Sequence, residues 1–86
     1  MGIIYKATNN INGKVYVGQT IFSLDNRRKE HIRLSKANFP RYLFHRALKK
    51  YGEENFSWDI LEECDKCLLN NLEEFYIALF HLLCRL

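Results

Sequence analysis

The chain has 86 residues and a mass of 10.3 kDa, which predicts a single domain over residues 1–86. Hydrophobic residues make up 48% of it and charged residues 27%, a globular composition that excludes wholesale disorder. Its apolar runs are far shorter than the ~20 residues that span a bilayer, and the first residues lack a signal-peptide pattern. We therefore expect an intracellular protein that does not associate with membranes.

The net charge of +3 is small, but the charges are unevenly distributed. Basic residues are concentrated between positions 27 and 50, and acidic residues between positions 53 and 74. This distribution is typical of a phosphate-binding face beside carboxylates that could bind a metal ion. Two solvated helix faces would have the same pattern, and charge alone is compatible with both interpretations.

The three cysteines are odd in number and occur without a signal peptide, so reduced thiols are expected. Cys64 and Cys67 form a C-x-x-C pair, and His81 and Cys84 supply two more possible ligands for a structural zinc ion. However, His81 and Cys84 belong to an apolar run, and cysteine is also a common small core residue. Both interpretations stay open at this point.

The first element predicted along the chain is a β-hairpin. Residues 2–5 and 15–18 are rich in β-branched and aromatic side chains, and the Asn-Gly pair at positions 12 and 13 favours a turn between them. Pairing about the middle of this loop sets Tyr5 opposite Tyr16. Since directly opposed residues point to the same face, both hydroxyls are expected on one side of the sheet.

Two helices, a third strand and a last helix follow. Ser23 is a good N-cap for a helix that continues to about Lys36, and a second helix is predicted with Pro40 in its first turn and Gly52 just past its end.

Residues 55–62 alternate apolar and polar side chains, which predicts a half-buried strand with one apolar face, comprising Phe56, Trp58 and Ile60. The last helix starts near position 66 or 68, and its predicted core residues are Leu72, Phe75, Tyr76 and Leu79. The fold class is therefore α+β, a small three-stranded antiparallel sheet flanked by helices in the order β-β-α-α-β-α.

Several ordered motifs in this arrangement resemble those of the GIY-YIG endonuclease family. The segments Gly2–Tyr5 (GIIY) and Tyr16–Gly18 (YVG) are similar to the two halves of its signature, and residues 24–31 resemble its arginine-plus-histidine helix. Residues 55–61 resemble its third strand, and residues 72–77 its acidic helix. The resemblance extends over nearly the whole chain and is strongest to homing endonucleases of phages and viruses.

The resemblance implies hydrolysis of DNA phosphodiester bonds with one divalent metal ion, Mg²⁺ or Mn²⁺, and no small-molecule cofactor. It places Glu73 as the metal ligand, and a single carboxylate suits Mg²⁺, which keeps most of its water shell. Glu73 is preferred to the adjacent Glu74 because it shares a helix face with Tyr76, three residues later.

The resemblance also assigns the other catalytic residues. Arg27 is expected to bind the scissile phosphate with its planar fork, and His31 lies four residues later on the same helix face. Tyr5 is expected to accept a proton from the attacking water, while Tyr16 positions the water or the phosphate. These four residues and Glu73 form the predicted catalytic set.

Three basic residues, Lys14, Arg28 and Lys29, are expected to contact DNA. Gly18 is expected either to adopt a positive φ or to let the backbone approach the substrate closely. Since the chain has no room for a separate DNA-recognition module, we expect low sequence specificity.

The end of the chain departs from the family pattern. Family members usually continue past the acidic helix to a segment with a functional asparagine, whereas residues 81–86 are mostly apolar. This end predicts a poorly anchored terminus after Phe80, and a domain that is less stable and less active than longer relatives. The alternatives to a nuclease are an inactive family remnant that at most binds DNA, and a zinc-stabilised binding module.

Overall fold

The first strand of the chain lies at the centre of an antiparallel three-stranded sheet, where it pairs with the second strand on one side and with the third on the other. The computed structural model describes residues 1–40 and 42–83, and the last three of these by their backbone only. The main elements are β1 (Gly2–Asn9), β2 (Val15–Thr20), α1 (Leu24–Ser35), α2 (Leu43–Tyr51), β3 (Phe56–Cys64) and α3 (Leu69–Leu83). Both the α+β class and the order β-β-α-α-β-α are thereby confirmed.

The register of the β1–β2 hairpin differs from the prediction by two residues. Tyr5 pairs with Gly18 and Tyr16 pairs with Ala7, so the predicted Tyr5–Tyr16 pairing is wrong. The reason is the turn, which spans residues 10–13 and is closed by a 2.8 Å hydrogen bond from the Asn9 backbone N–H to the carbonyl of residue 14. A shift of two residues leaves side chains on the same face, so both tyrosines still project from one side of the sheet.

Each face of the sheet is covered by different helices. On one face, residues of α2 pack with the sheet in a core cluster made of Ala7, Ala47, Leu48 and Phe56. On the other face, α3 packs through a second cluster made of Ile4, Cys64 and Leu69, to which Leu72 and Tyr76 add contacts. We call these the α2 face and the α3 face of the sheet.

Strand β3 follows the predicted alternation only in part. Phe56 is buried and Trp58 packs against the α2-face cluster, as predicted. Ile60, in contrast, is 49% exposed. The pairing of β1 with β3 shifts register between Ile4 and Tyr5, and such an irregularity bends a strand and re-aims its side chains. The burial expected for Ile60 is therefore wrong.

The helix ends agree with the sequence except at the start of α2. The Ser23 hydroxyl caps α1 by accepting a 3.1 Å hydrogen bond from the Asn26 backbone N–H. Gly52 ends α2 with a positive φ of 89°. Helix α2 begins only at Leu43, so Pro40 precedes its first turn and the predicted position is wrong. The Pro40 carbonyl instead accepts a hydrogen bond from Arg46 Nε.

Helix α3 buries fewer residues than predicted. Leu72 and Tyr76 pack against the sheet, and the Tyr76 hydroxyl donates a 2.8 Å hydrogen bond to the Glu62 carboxylate. Phe75 is 57% exposed and Leu79 39% exposed, so their predicted burial is wrong. The prediction about the terminus after Phe80 falls on side chains outside the described residues. No helix within residues 1–40 or 42–83 is long and apolar enough to cross a membrane.

Candidate active site

Tyr5 reaches the edge of the sheet because its neighbour on β2 is glycine. A Cβ atom added to Gly18 would lie 2.5 Å from the Tyr5 hydroxyl oxygen and 2.6 Å from its Cζ, closer than real atoms approach. The positive-φ glycines in the part of the chain described are Gly13 and Gly52. Of the two reasons expected for Gly18, close approach therefore applies, and the approaching group is the ring of Tyr5.

His31 is enclosed between the sheet and α2. It is 7% exposed, and its ring contacts Phe44 edge-on at a centroid distance of 5.0 Å and stacks with Trp58 at 6.0 Å. Its Nε2 lies 2.7 Å from the Tyr5 hydroxyl oxygen, and its Nδ1 lies 2.8 Å from Nε2 of His45. Tyr5, His31 and His45 thus form a continuous buried hydrogen-bonded chain.

Burial controls the protonation of the side chains in this hydrogen-bonded network. Desolvation, with smaller contributions from the nearby positive charges of Arg27 and His45, lowers the pKa of His31 to about 4. The imidazole is therefore neutral at physiological pH and has one lone pair free to accept a proton. Burial also raises the pKa of Tyr5, an effect that Arg27 opposes and that Glu73 reinforces.

Arg27 lines the same cleft from α1 and is held by its own helix. Its guanidinium forms an ion pair with Glu30, three residues later. The Arg27 side chain remains 31% exposed, so it is accessible to an anion in the cleft. An exposed pair of this kind contributes about 0–1 kcal/mol, so a bound phosphate could replace Glu30 at little cost.

Tyr16 and Lys14 line the cleft from β2 and from the turn before it. The ring of Tyr16 packs against Phe44 at 4.9 Å between centroids, and burial raises the pKa of its hydroxyl. Tyr16 therefore combines a packing role with a hydroxyl at the rim of the cleft. Lys14 is exposed and adds a positive charge to that rim.

Glu73 lines the cleft from the opposite side of the sheet. It is half-buried on α3, which contacts the edge strand β2. The cleft has a volume of about 1190 Å³ and passes around this edge from Tyr5, Arg27 and His31 to Glu73. Glu74 is exposed and does not contribute to the lining, so the geometry favours Glu73 over its neighbour.

The structure thus brings together the five residues predicted to be catalytic and Lys14, but places Arg28 and Lys29 elsewhere. Both of these basic side chains form ion pairs with Asp25, at 2.7 and 3.2 Å. Neither is among the residues that line the cleft. Of the two adjacent arginines, Arg27 is therefore the one whose side chain lines the cleft.

The described residues give no support to a zinc site. Cys64 is buried and Cys67 is exposed, and both are free thiols. Burial raises the pKa of the Cys64 thiol, whereas zinc binding requires a thiolate. Within residues 1–40 and 42–80, His, Cys, Asp and Glu form no group of three or more that could hold a metal ion. Cys84 and the side chain of His81 lie outside the described residues.

His45 was not among the predicted site residues, although its position in the sequence indicates that it is buried. His45 is three residues before Leu48, so it shares the helix face that packs on the sheet. It is 5% exposed. A histidine at a buried helix position needs a hydrogen-bond partner, and that partner is His31.

A three-stranded sheet with helices on both faces, and a cleft lined by tyrosine, histidine, arginine and the carboxylates of Glu30 and Glu73, is the arrangement of a small nuclease domain. A family model described as the GIY-YIG catalytic domain matches residues 1–81. The chain belongs to this family.

Solved structures agree with this assignment. The catalytic domain of the homing endonuclease I-TevI superimposes with a TM-score of 0.79 at 28% identity, over 94% of this chain and 89% of that one. A mutant of the same domain gives a TM-score of 0.78 at 32% identity, over 94% of this chain and 86% of that one. The fold and its nuclease class are therefore those of a homing-endonuclease-like domain.

Curated relatives come from viruses and phages. The MSV199 domain-containing protein 146R of Invertebrate iridescent virus 6 is 39% identical over 74% of this chain and 26% of its own length. Two proteins of Enterobacteria phage T4 named as endonucleases, segE and segB, are 42% and 43% identical over 70% and 71% of this chain, and over 25% and 24% of their own lengths. The chain thus spans about a quarter of the length of these relatives.

Proposed function

We propose that this domain is a divalent-metal-dependent DNA endonuclease with low intrinsic sequence specificity, whose active site is the cleft around the edge of β2. The observation that carries the proposal is the convergence of Arg27, the Tyr5–His31 pair and Glu73 on one cleft from three elements of the fold. Phosphodiester hydrolysis needs a phosphate clamp, a proton acceptor for water and a site for a cation, and these residues match those three needs.

Glu73 is the residue that would hold the metal ion, Mg²⁺ or Mn²⁺. A single carboxylate fits Mg²⁺, which keeps several of its water ligands when bound to proteins. When bound there, the ion would supply charge stabilisation to the phosphate. The half-buried position of Glu73 on the cleft wall leaves room for those waters.

Tyr5 and His31 would act together on the proton of the attacking water. The pKa of Tyr5 is raised by burial, so its hydroxyl is protonated at neutral pH and must lose that proton in order to accept another. His31 is neutral and its Nε2 lies 2.7 Å from the hydroxyl oxygen. As the water O–H bond breaks, its proton passes to the Tyr5 oxygen while the phenolic proton passes to His31 Nε2. The hydroxide forms the new bond to phosphorus, the bond from phosphorus to the leaving 3′ oxygen breaks, and that oxygen takes a proton from solvent.

Arg27 would stabilise the charge that grows on the phosphate oxygens. Its planar guanidinium group carries a positive charge and can bind two oxygens at once. Lys14, Arg28 and Lys29 would add contacts to the DNA backbone, which carry no sequence information directly. Low specificity follows because such contacts position the duplex without reading its bases.

The test is nicking of a supercoiled plasmid by the purified protein, with Mg²⁺ added or withheld. We expect Mg²⁺-dependent nicking that falls by about 100-fold or more in Glu73→Gln, because loss of the ligand misplaces the cation. Glu74→Gln is the matched control, since the neighbouring carboxylate is outside the cleft. Absence of nicking by the parent protein would instead identify an inactive member that at most binds DNA.

A further inference from the structure

We propose that His45 is a positioning residue for this reaction: through His31 it decides whether the Tyr5 hydroxyl donates or accepts a hydrogen bond. This inference rests on the proposed function of Tyr5 and His31. It starts from the hydrogen-bonded chain in which His45 Nε2 lies 2.8 Å from His31 Nδ1, and His31 Nε2 lies 2.7 Å from the Tyr5 oxygen. His45 is on α2, whereas His31 is on α1 and Tyr5 is on β1.

Both ring nitrogens of His31 are engaged, which couples its two hydrogen bonds. A neutral imidazole carries one N–H and one lone pair. If His31 Nδ1 donates to His45, then Nε2 must accept from the Tyr5 hydroxyl. If His45 Nε2 donates instead, His31 must direct an N–H at the Tyr5 oxygen. The tautomer of His45 therefore decides which group is the donor and which is the acceptor in both hydrogen bonds of His31.

The proposed proton transfer needs the first of these two arrangements. Tyr5 can pass its proton to His31 only when His31 Nε2 presents a lone pair. Transfer then leaves His31 positively charged, with its Nδ1–H still donated to the lone pair of His45. A neutral acceptor at this position both holds the ring in place and stabilises the imidazolium that forms, as an orienting partner does for other functional histidines.

The surroundings of His45 are consistent with a neutral acceptor. Burial lowers its pKa, and the charge of Arg27 lowers it further, while Glu30 acts in the opposite sense. His31 faces it from α1, and the rings of Tyr42 and Phe44 contact it from its own helix region, at centroid distances of 5.6 and 5.9 Å.

The ring is also fixed in space by the packing of α2. Ala47 and Leu48, on the same helix, belong to the α2-face core cluster, and Leu48 is only 3% exposed. His45 is itself only 5% exposed, so its ring has little room to turn away from His31. This rigidity is what a positioning residue requires, because orientation is effective only when the supporting side chain is locked.

The experiment compares His45→Phe and His45→Gln with Leu48→Ala in two measurements. The first is the ¹⁵N chemical shifts of the His31 ring, which report its tautomer without reference to activity. The second is the pH profile of plasmid nicking, with kcat and KM separated. Phe fills the site without an acceptor, Gln retains an acceptor oxygen, and Leu48→Ala weakens the same helix without touching His31.

We expect His45→Phe to mix the two tautomers of His31 and to lower kcat by about 10- to 100-fold, the range seen when an orienting partner is removed. His45→Gln should retain the Nδ1–H tautomer and recover most of kcat. Leu48→Ala should lower the melting temperature and leave the nitrogen shifts unchanged.

The proposal is overturned if the His31 shifts in His45→Phe match those of the parent protein, or if its rate loss equals that of Leu48→Ala. The nitrogen spectra test His45 even in a protein that does not nick DNA. Failure of this inference and failure of the proposed nuclease function can therefore be told apart.

Discussion

The two faces of the sheet contribute to the cleft in different ways. On the α2 face, Tyr5, His31 and His45 are each at most 7% exposed and are linked by hydrogen bonds of 2.7 and 2.8 Å. On the α3 face, Glu73 is half-buried, and α3 leaves Phe75 57% exposed. One wall of the cleft is therefore a buried hydrogen-bonded network. The other wall is helix α3, which packs on the sheet through Leu69, Leu72 and Tyr76.

This difference matches what each wall is proposed to do. Proton transfer needs heavy atoms within about 2.6–3.2 Å, and only a buried network holds such distances steadily. A hydrated Mg²⁺ ion tolerates more variation in the protein group that binds it, because water completes its shell. We therefore expect large functional effects from small changes on the α2 face, and mainly charge effects from changes on α3.

The largest expected effect comes from Arg27, at the border of the α2 face. Arg27→Ala should lower the rate of plasmid nicking by about 10²–10³-fold, the range for loss of one group that stabilises transition-state charge. DNA binding, measured by fluorescence anisotropy, should weaken only slightly and should fall as salt rises. Arg28→Ala is the matched control, since Arg28 pairs with Asp25 outside the cleft, and equal rate losses would contradict the role of Arg27.

The next effect is a pH dependence of stability that belongs to the α2 face. His31 has a pKa of about 4 in the folded protein, lowered from 6.5, so the unfolded state binds a proton more readily. Stability from this group is present above pH 6.5 and falls as pH drops toward 4, by about 3 kcal/mol in total. Urea unfolding between pH 4 and 7 measures this slope, which should be much shallower in His31→Gln. An unchanged slope in that variant would show that His31 is not buried as described.

A smaller effect on stability is expected from Gly18→Ala. The new Cβ would meet the Tyr5 hydroxyl at 2.5 Å, so the ring must move, at a cost of about 1–3 kcal/mol. The displaced hydroxyl should also lose its hydrogen bond to His31, so nicking should fall. Gly13→Ala is the control because its positive φ of 76° strains the backbone while nothing lies within 4 Å. It should lower the melting temperature and retain the parent nicking rate. A Gly18→Ala protein with parent nicking would argue against the Tyr5 role.

The smallest effect is expected on the exposed side of α3. Phe75→Ser should change the free energy of unfolding by less than about 0.5 kcal/mol, as surface substitutions usually do. Leu69→Ala, at a residue that is 5% exposed on the same helix, should cost about 2–5 kcal/mol. Thermal and urea unfolding of the two variants compare these positions. A large loss of unfolding free energy in Phe75→Ser would mean that the side of α3 that carries Phe75 also packs against the rest of the protein.

Sequence patterns predicted the elements well because each had a local cause. Ser23 caps α1 and Gly52 ends α2, whereas the five residues of the cleft predicted to be catalytic were assigned by the resemblance to the family. These features depend on neighbours within one or two turns of the chain or on ordered motifs. Local chemistry of this kind can be read without knowing the fold.

The features that could not be predicted depend on the backbone pairing of the strands or on contacts between distant segments. The hairpin register follows from a four-residue turn, whose length the Asn-Gly pair alone does not set, and the exposure of Ile60 goes with an irregular pairing between β1 and β3. The partner of Gly18 is the ring of Tyr5, 13 positions earlier in the sequence. His45 contacts His31 only because α2 packs beside α1 in the fold, and no sequence motif indicates this contact.

The central claim is that Glu73 brings a metal ion to the same cleft as Tyr5 and Arg27, across the edge of β2. Paramagnetic broadening of amide NMR signals by substoichiometric Mn²⁺ tests it directly. We expect the amides of Glu73 and Gly18 to broaden first, and we expect Glu73→Gln to remove this broadening while Glu74→Gln preserves it. Broadening centred on Glu53 and Glu54, or broadening that survives Glu73→Gln, would show that Glu73 does not bring the ion to this cleft.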